Sequence, residues 1–142
     1  MTTYRTEIGS PRDRDEVFEY LATFSNAGEW DPGVTEAEPL TPGPADVGSV
    51  YRLRVRVAGR DVPFDYRVVA IDRPTRVVLR AERSGVVSTD TITVERAGAG
   101  SQVSYVAVLE SRGVLRLAAP LVARSFRKMA DRGADGLRRA LA

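Results

Sequence analysis

The 142-residue, 15.5 kDa chain is 43% hydrophobic and 28% charged, which suits one ordinary domain with a buried core. It has no cysteine and no histidine, excluding thiolate chemistry, Ser-His-Asp and Cys-His catalysis, and the commonest zinc and iron ligands. The net charge of +2 hides a gradient: residues 1–50 carry 3 basic and 10 acidic groups, residues 112–142 carry 8 and 2.

The C-terminal basic excess is spread along one segment with a single aromatic, Phe126, so it reads as a solvated helix face and not as a nucleic-acid platform. No apolar run reaches the roughly 18 residues of a spanning helix, and MTTYRTEIGS lacks the basic-then-apolar pattern of a signal peptide. The expectation is a single domain over residues 1–142, located in the cytoplasm, without membrane insertion. A homodimer is compatible with this composition.

Thr2–Ile8 has the look of a short strand. Ser10 and Pro11 predict a helix start, with Ser10 as cap, Pro11 in the first turn and Val17, Phe18 and Leu21 on one apolar face. A second short helical turn is expected at AGEW, ended by Pro32 and Gly33, and a Pro- and Gly-rich loop at 39–48.

Five strand-like stretches follow, at 50–58, 61–71, 76–83, 86–96 and 101–110, separated by short turns. Tight hairpins set Val57 against Val62, Ala70 against Val77, Arg83 against Val86 and Val94 against Val103. Cross-strand partners share a face, so each hairpin passes its assignment to the next strand. One face then collects Tyr51, Leu53, Phe64, Tyr66, Val68, Ala70, Leu79, Arg83, Ser88, Asp90, Ile92, Tyr105 and Ala107; the other is rich in Arg, Thr and Glu. An antiparallel meander with one apolar and one wet face is the result. On the wet face, Val69, Val78, Val106 and Val108 are expected to form a small apolar patch.

From 114 to 141 the period becomes helical: Leu115, Ala118, Val122, Phe126, Met129, Gly133, Leu137 and Leu141 recur at three- and four-residue steps. Pro120 either begins the main helix or kinks it. The stripe requires an apolar surface, and the meander offers the large one.

The order strand, short helices, meander and long helix resembles the helix-grip fold of the SRPBCC (START-like) superfamily. The local resemblance, to its polyketide cyclase/dehydrase branch, rests on DEVFEYLATFSNAGEWDPGV (15–34), VGSVYRL (47–53), YRVVAIDRPTRVVLRAE (66–82) and APLVARSFRKMADRGADGLRRAL. The resemblance implies an α+β fold, a curved antiparallel sheet wrapped around a long C-terminal helix, with two short helices after the first strand. It also implies an internal cavity for a small hydrophobic or aromatic ligand. No cofactor is expected, and with neither histidine nor cysteine no metal site is expected. The expected wall comprises Trp30, Tyr51, Leu53, Phe64, Tyr66, Leu79, Arg83, Asp90, Tyr105, Phe126 and Met129. Asp90 is the unusual member, because an ionised carboxylate mid-strand on the apolar face costs several kcal/mol unless paired or hydrated.

Three functions fit these residues. The first is a carrier or binder of a hydrophobic ligand. The second is a polyketide cyclase or dehydratase, with Asp90 as candidate base and Arg83 or Tyr105 steadying an enolate, so that enzyme activity stays open. The third is a protein-interaction module using the outer valine patch.

Overall fold

Seven strands form one antiparallel sheet in the computed structural model, which describes all residues from Met1 to Ala142. In chain order the elements are β1 (Thr2–Ser10), α1 (Arg14–Ala22), a 3-10 turn (Phe24–Asn26), α2 (Ala27–Trp30), β2 (Val34–Pro39), β3 (Val50–Val57) and β4 (Arg60–Asp72). They continue with β5 (Arg76–Arg83), β6 (Val86–Ala97), β7 (Gly100–Ser111), a 3-10 segment (Gly113–Ala118) and α3 (Ala119–Leu141). The sheet order is β1-β7-β6-β5-β4-β3-β2, curled into a half-barrel with α3 across its hollow. No helix is long and apolar enough to cross a membrane.

The expected hairpins are present. Arg83 pairs with Val86 and Val94 with Val103, as the turns required. In the β3–β4 hairpin Val62 faces Val55 and not Val57; the two-residue offset leaves every side chain on its expected face. One inward assignment is wrong. A bulge between Val68 and Ala70 puts Ala70 opposite Val78 and Ile71 opposite Val77, so Ile71 packs on the core in the place expected for Ala70. Of the outer valines, Val69 is exposed and Val78 is buried.

Two further differences concern the N-terminal third. Ser10 does not cap α1: it is the last residue of β1, buried, and its hydroxyl donates to the Leu141 carbonyl at 2.6 Å. The cap is Asp13, whose carboxylate accepts from the Asp15 N–H at 3.0 Å. The second difference is β2, an edge strand on β3 in a stretch without apolar alternation. Pro39 closes it where no ladder donor is needed.

Pro120 sits in the first turn of α3 and so begins the helix. Only the C-terminal half of α3 is buried, through Gly133, Ala134, Gly136, Leu137 and Leu141. Three polar contacts tie that half to β1: Tyr4 to Asp131 at 2.8 Å, Arg138 to Thr6 at 3.1 Å, and Ser10 to the Leu141 carbonyl. A Cβ on Gly136 would lie 1.8 Å from the Trp30 carbonyl oxygen, so this glycine is where α3 rests on the end of α2. The inner face is thereby divided along the strands. Val68, Val77, Ile92, Val94 and Val103 join Val17, Phe18 and Leu21 of α1 in a dry core. The other half of the sheet faces the N-terminal half of α3 across open space.

Candidate functional site

The space between sheet and helix is a cavity of about 500 Å³, with 22 of its 28 lining residues hydrophobic. Leu53 and Val55 of β3, Phe64 and Tyr66 of β4, Ser88 and Asp90 of β6, and Tyr105 and Ala107 of β7 line the sheet side. Phe126, Met129 and Ala130 of α3 close it from above, and Trp30 and Asp31 stand at one side. Val57 and Leu121 also line it, yet they are 41% and 72% exposed, which places the mouth between the tip of the β3–β4 hairpin and the start of α3.

One polar network crosses this apolar wall. Asp90, 6% exposed, pairs with Leu79 on one side and Ala107 on the other. The Tyr105 hydroxyl donates to its Oδ2 at 2.5 Å, and the Ser88 hydroxyl donates to its Oδ1 at 3.1 Å. Tyr66 in turn donates to Ser88 at 3.2 Å. Ser88 and Asp90 alternate on β6, Tyr105 lies on neighbouring β7 and Tyr66 reaches across β5 from β4, so the sheet pleat aims all four into the same hollow.

Burial lifts the Asp90 pKa to about 6; the Tyr105 and Ser88 hydrogen bonds restrain the rise, and repulsion from Asp31 adds to it. Asp31 is itself raised by burial, against a hydrogen bond from the Gly33 N–H at 2.9 Å. The Tyr105 hydroxyl is pushed well above its ordinary value by burial and then by the neighbouring Asp90 charge. Tyr66 moves the same way for the same two reasons. Near neutral pH the site therefore offers a carboxylate able to accept a hydrogen bond or a proton, flanked by two hydroxyls that stay protonated.

Eight of the expected wall residues line the cavity: Trp30, Leu53, Phe64, Tyr66, Asp90, Tyr105, Phe126 and Met129. Three do not. Tyr51 and Leu79 point inward but are fully buried in the dry core, and Arg83 is exposed at the end of β5. Arg83 lies four positions beyond Leu79, the partner of Asp90, or roughly 13 Å along the strand. Its placement separates it from the Asp90 network. Asp31 is a lining residue the sequence does not single out, because an aspartate before Pro32 and Gly33 reads as ordinary turn chemistry. Tyr4 and Thr6 of β1 are further lining residues that alternation alone did not single out. The chain has no cluster of three or more carboxylates placed to hold a metal ion.

A curled sheet gripping a long helix over an apolar cavity is the helix-grip fold. A START superfamily protein from Mycobacterium smegmatis superposes with a TM-score of 0.79 at 11% identity, covering 99% of this chain and 97% of that one. A protein from Thermus thermophilus gives 0.78 at 15% identity over 98% and 96%. Major latex-like protein 151 from Panax ginseng gives 0.69 at 13% identity over 99% and 97%. No curated protein sequence matches the chain. The chain belongs to the polyketide cyclase / dehydrase and lipid transport family, whose model matches residues 1–142.

Proposed function

We propose that this protein binds a small, largely apolar ligand in the cavity between the sheet and α3. The observation that carries the proposal is the cavity itself: about 500 Å³, 22 of 28 lining residues hydrophobic, with a few convergent polar groups. Ligand sites typically span roughly 300–1,000 Å³ with that composition. Filling such a space with water would leave its apolar walls wet, whereas an apolar ligand recovers the burial energy of both surfaces.

The test is displacement of an environment-sensitive apolar dye, read on wild type and on Ala130→Trp. Ala130 is half-buried on α3 and lines the cavity, so an indole there occupies ligand space without opening the dry core. Wild type should bind the dye and the variant should lose at least tenfold in affinity while keeping its melting temperature within a few degrees. Equal binding by both proteins would contradict the proposal.

The Asp90 network favours a second reading, an enzyme that cyclises or dehydrates an enolisable polyketone. In it Asp90 removes a proton from a carbon flanked by carbonyls, and Tyr105 orients the carboxylate. A pKa of about 6 suits a base working near neutrality. Under this reading Asp90→Asn should retain substrate binding and reduce turnover by about 10²–10⁴-fold.

A further inference from the structure

The charge of the cavity is one-sided. Its lining contains two carboxylates, Asp31 and Asp90, and no arginine or lysine, in a chain whose basic groups outnumber its acidic ones. The arginines of β3 are turned to the outer face: Arg52 pairs with Asp65 there at 2.8 Å, and Arg54 and Arg56 meet Glu36 and Asp61. Arg60 and Arg83 pair with the lining residues Val57 and Val86, but they are exposed at the rim of the inner face and stand outside the lining. On α3, Arg124, Arg127 and Lys128 are exposed and stand outside the lining.

The rings beside the two acids point the same way. Trp30 and Tyr105 meet edge to face at 6.0 Å between centroids, and Phe24 and Tyr66 do so at 4.9 Å. All four rings line the cavity, and the two tyrosines belong to the hydrogen-bond network at Asp90. Aromatic faces with a carboxylate among them attract organic cations and repel anions. No lining group can neutralise a ligand carboxylate, so an anionic lipid would bury its charge against Asp31 and Asp90.

We propose that the cavity selects a hydrophobic ligand bearing a hydrogen-bond donor, a protonated amine above all, which Asp90 accepts, and that it excludes carboxylate-bearing ligands. This inference rests on the cavity-binding reading and adds the ligand's charge class to it. Repulsion between the two acids, which contributes to the raised Asp90 pKa, is relieved when a cation sits between them and the rings.

Three matched fluorescent probes separate the outcomes at pH 7.5: 2-naphthylmethylamine, 2-naphthylmethanol and 2-naphthoate. Wild type should bind the amine at least tenfold more tightly than the carboxylate, with the alcohol between them. Asp90→Asn should shrink that ratio to about threefold or less, and Asp31→Asn should shrink it in part. Naphthoate binding as tightly as the amine would overturn the inference while leaving a cavity binder. An undiminished ratio in both variants would likewise overturn it, since the selectivity would then come from elsewhere. Failure of all three probes to bind wild type would remove the cavity-binding reading itself.

Discussion

Asp90 holds its proton more tightly in the folded chain than in the unfolded one, because burial raises its pKa to about 6 against roughly 3.9 for an exposed aspartate. Between about pH 4 and 6 the native state therefore binds more protons than the unfolded state, and stability falls as pH rises through that window. Above it the full cost is present, about 3 kcal/mol for a shift of that size. Asparagine keeps an acceptor for Tyr105 and removes the charge. Asp90→Asn should accordingly exceed wild type in stability at pH 7.5, with the gain shrinking towards pH 4. Urea unfolding at both pH values checks this, and a gain independent of pH would contradict the raised pKa. A cost of this kind, retained at a cavity wall, is what a binding or catalytic role would justify. Much of the site was legible residue by residue: Asp90 stood out as an acid on an apolar face, with Tyr105 diagonal to it. Depth was not legible. Alternation assigns a face, so Tyr51 and Leu79 were assigned correctly to the inside, but whether an inward residue meets core or cavity depends on where α3 crosses.

At the scale of elements, the division of α3 into a packed half and a standing-off half creates the cavity. Gly136 sets the close approach: its missing Cβ leaves room for the Trp30 carbonyl oxygen, 1.8 Å from where that carbon would be. Helix propensity favours alanine over glycine by about 1 kcal/mol, so a loose contact would make Gly136→Ala stabilising. The backbone clash reverses the sign, and a net loss of about 1–3 kcal/mol is expected, the usual range for overpacking. Gly133→Ala provides the contrast, because its Cβ would meet the Asp31 carboxylate at 3.3 Å, a side chain able to yield. Thermal unfolding of the two variants should rank Gly136→Ala clearly below Gly133→Ala; the opposite order would contradict this seating of α3. The meander was readable from alternation because each short turn carries the face to the next strand. The bulge at Val69 was not, as neither glycine nor proline marks it. Strand β2 escaped for another reason: VTEAEP offers no apolar alternation, and its pairing comes from the β3 edge.

At the scale of the whole molecule, the same sheet face does two jobs, divided along the strand direction. Towards α1 it is filled by side chains and sustains the fold; towards the mouth at Val57 and Leu121 it is left open. The contacts from Tyr4, Thr6 and Ser10 to α3 hold the helix over β1, so the gap is spanned and does not collapse. Apolar walls of this extent left in contact with water are costly for a fold of ordinary stability. Binding a ligand recovers part of that cost, and by linkage it raises the unfolding free energy. The most direct test of the cavity's role is backbone amide NMR with the uncharged probe 2-naphthylmethanol. Occupation of the cavity should shift the amides of Asp90, Tyr105, Phe126 and Ala130 together and saturably, leaving Arg52 and Val69 still. Shifts confined to the outer face, or none at saturating probe, would contradict it.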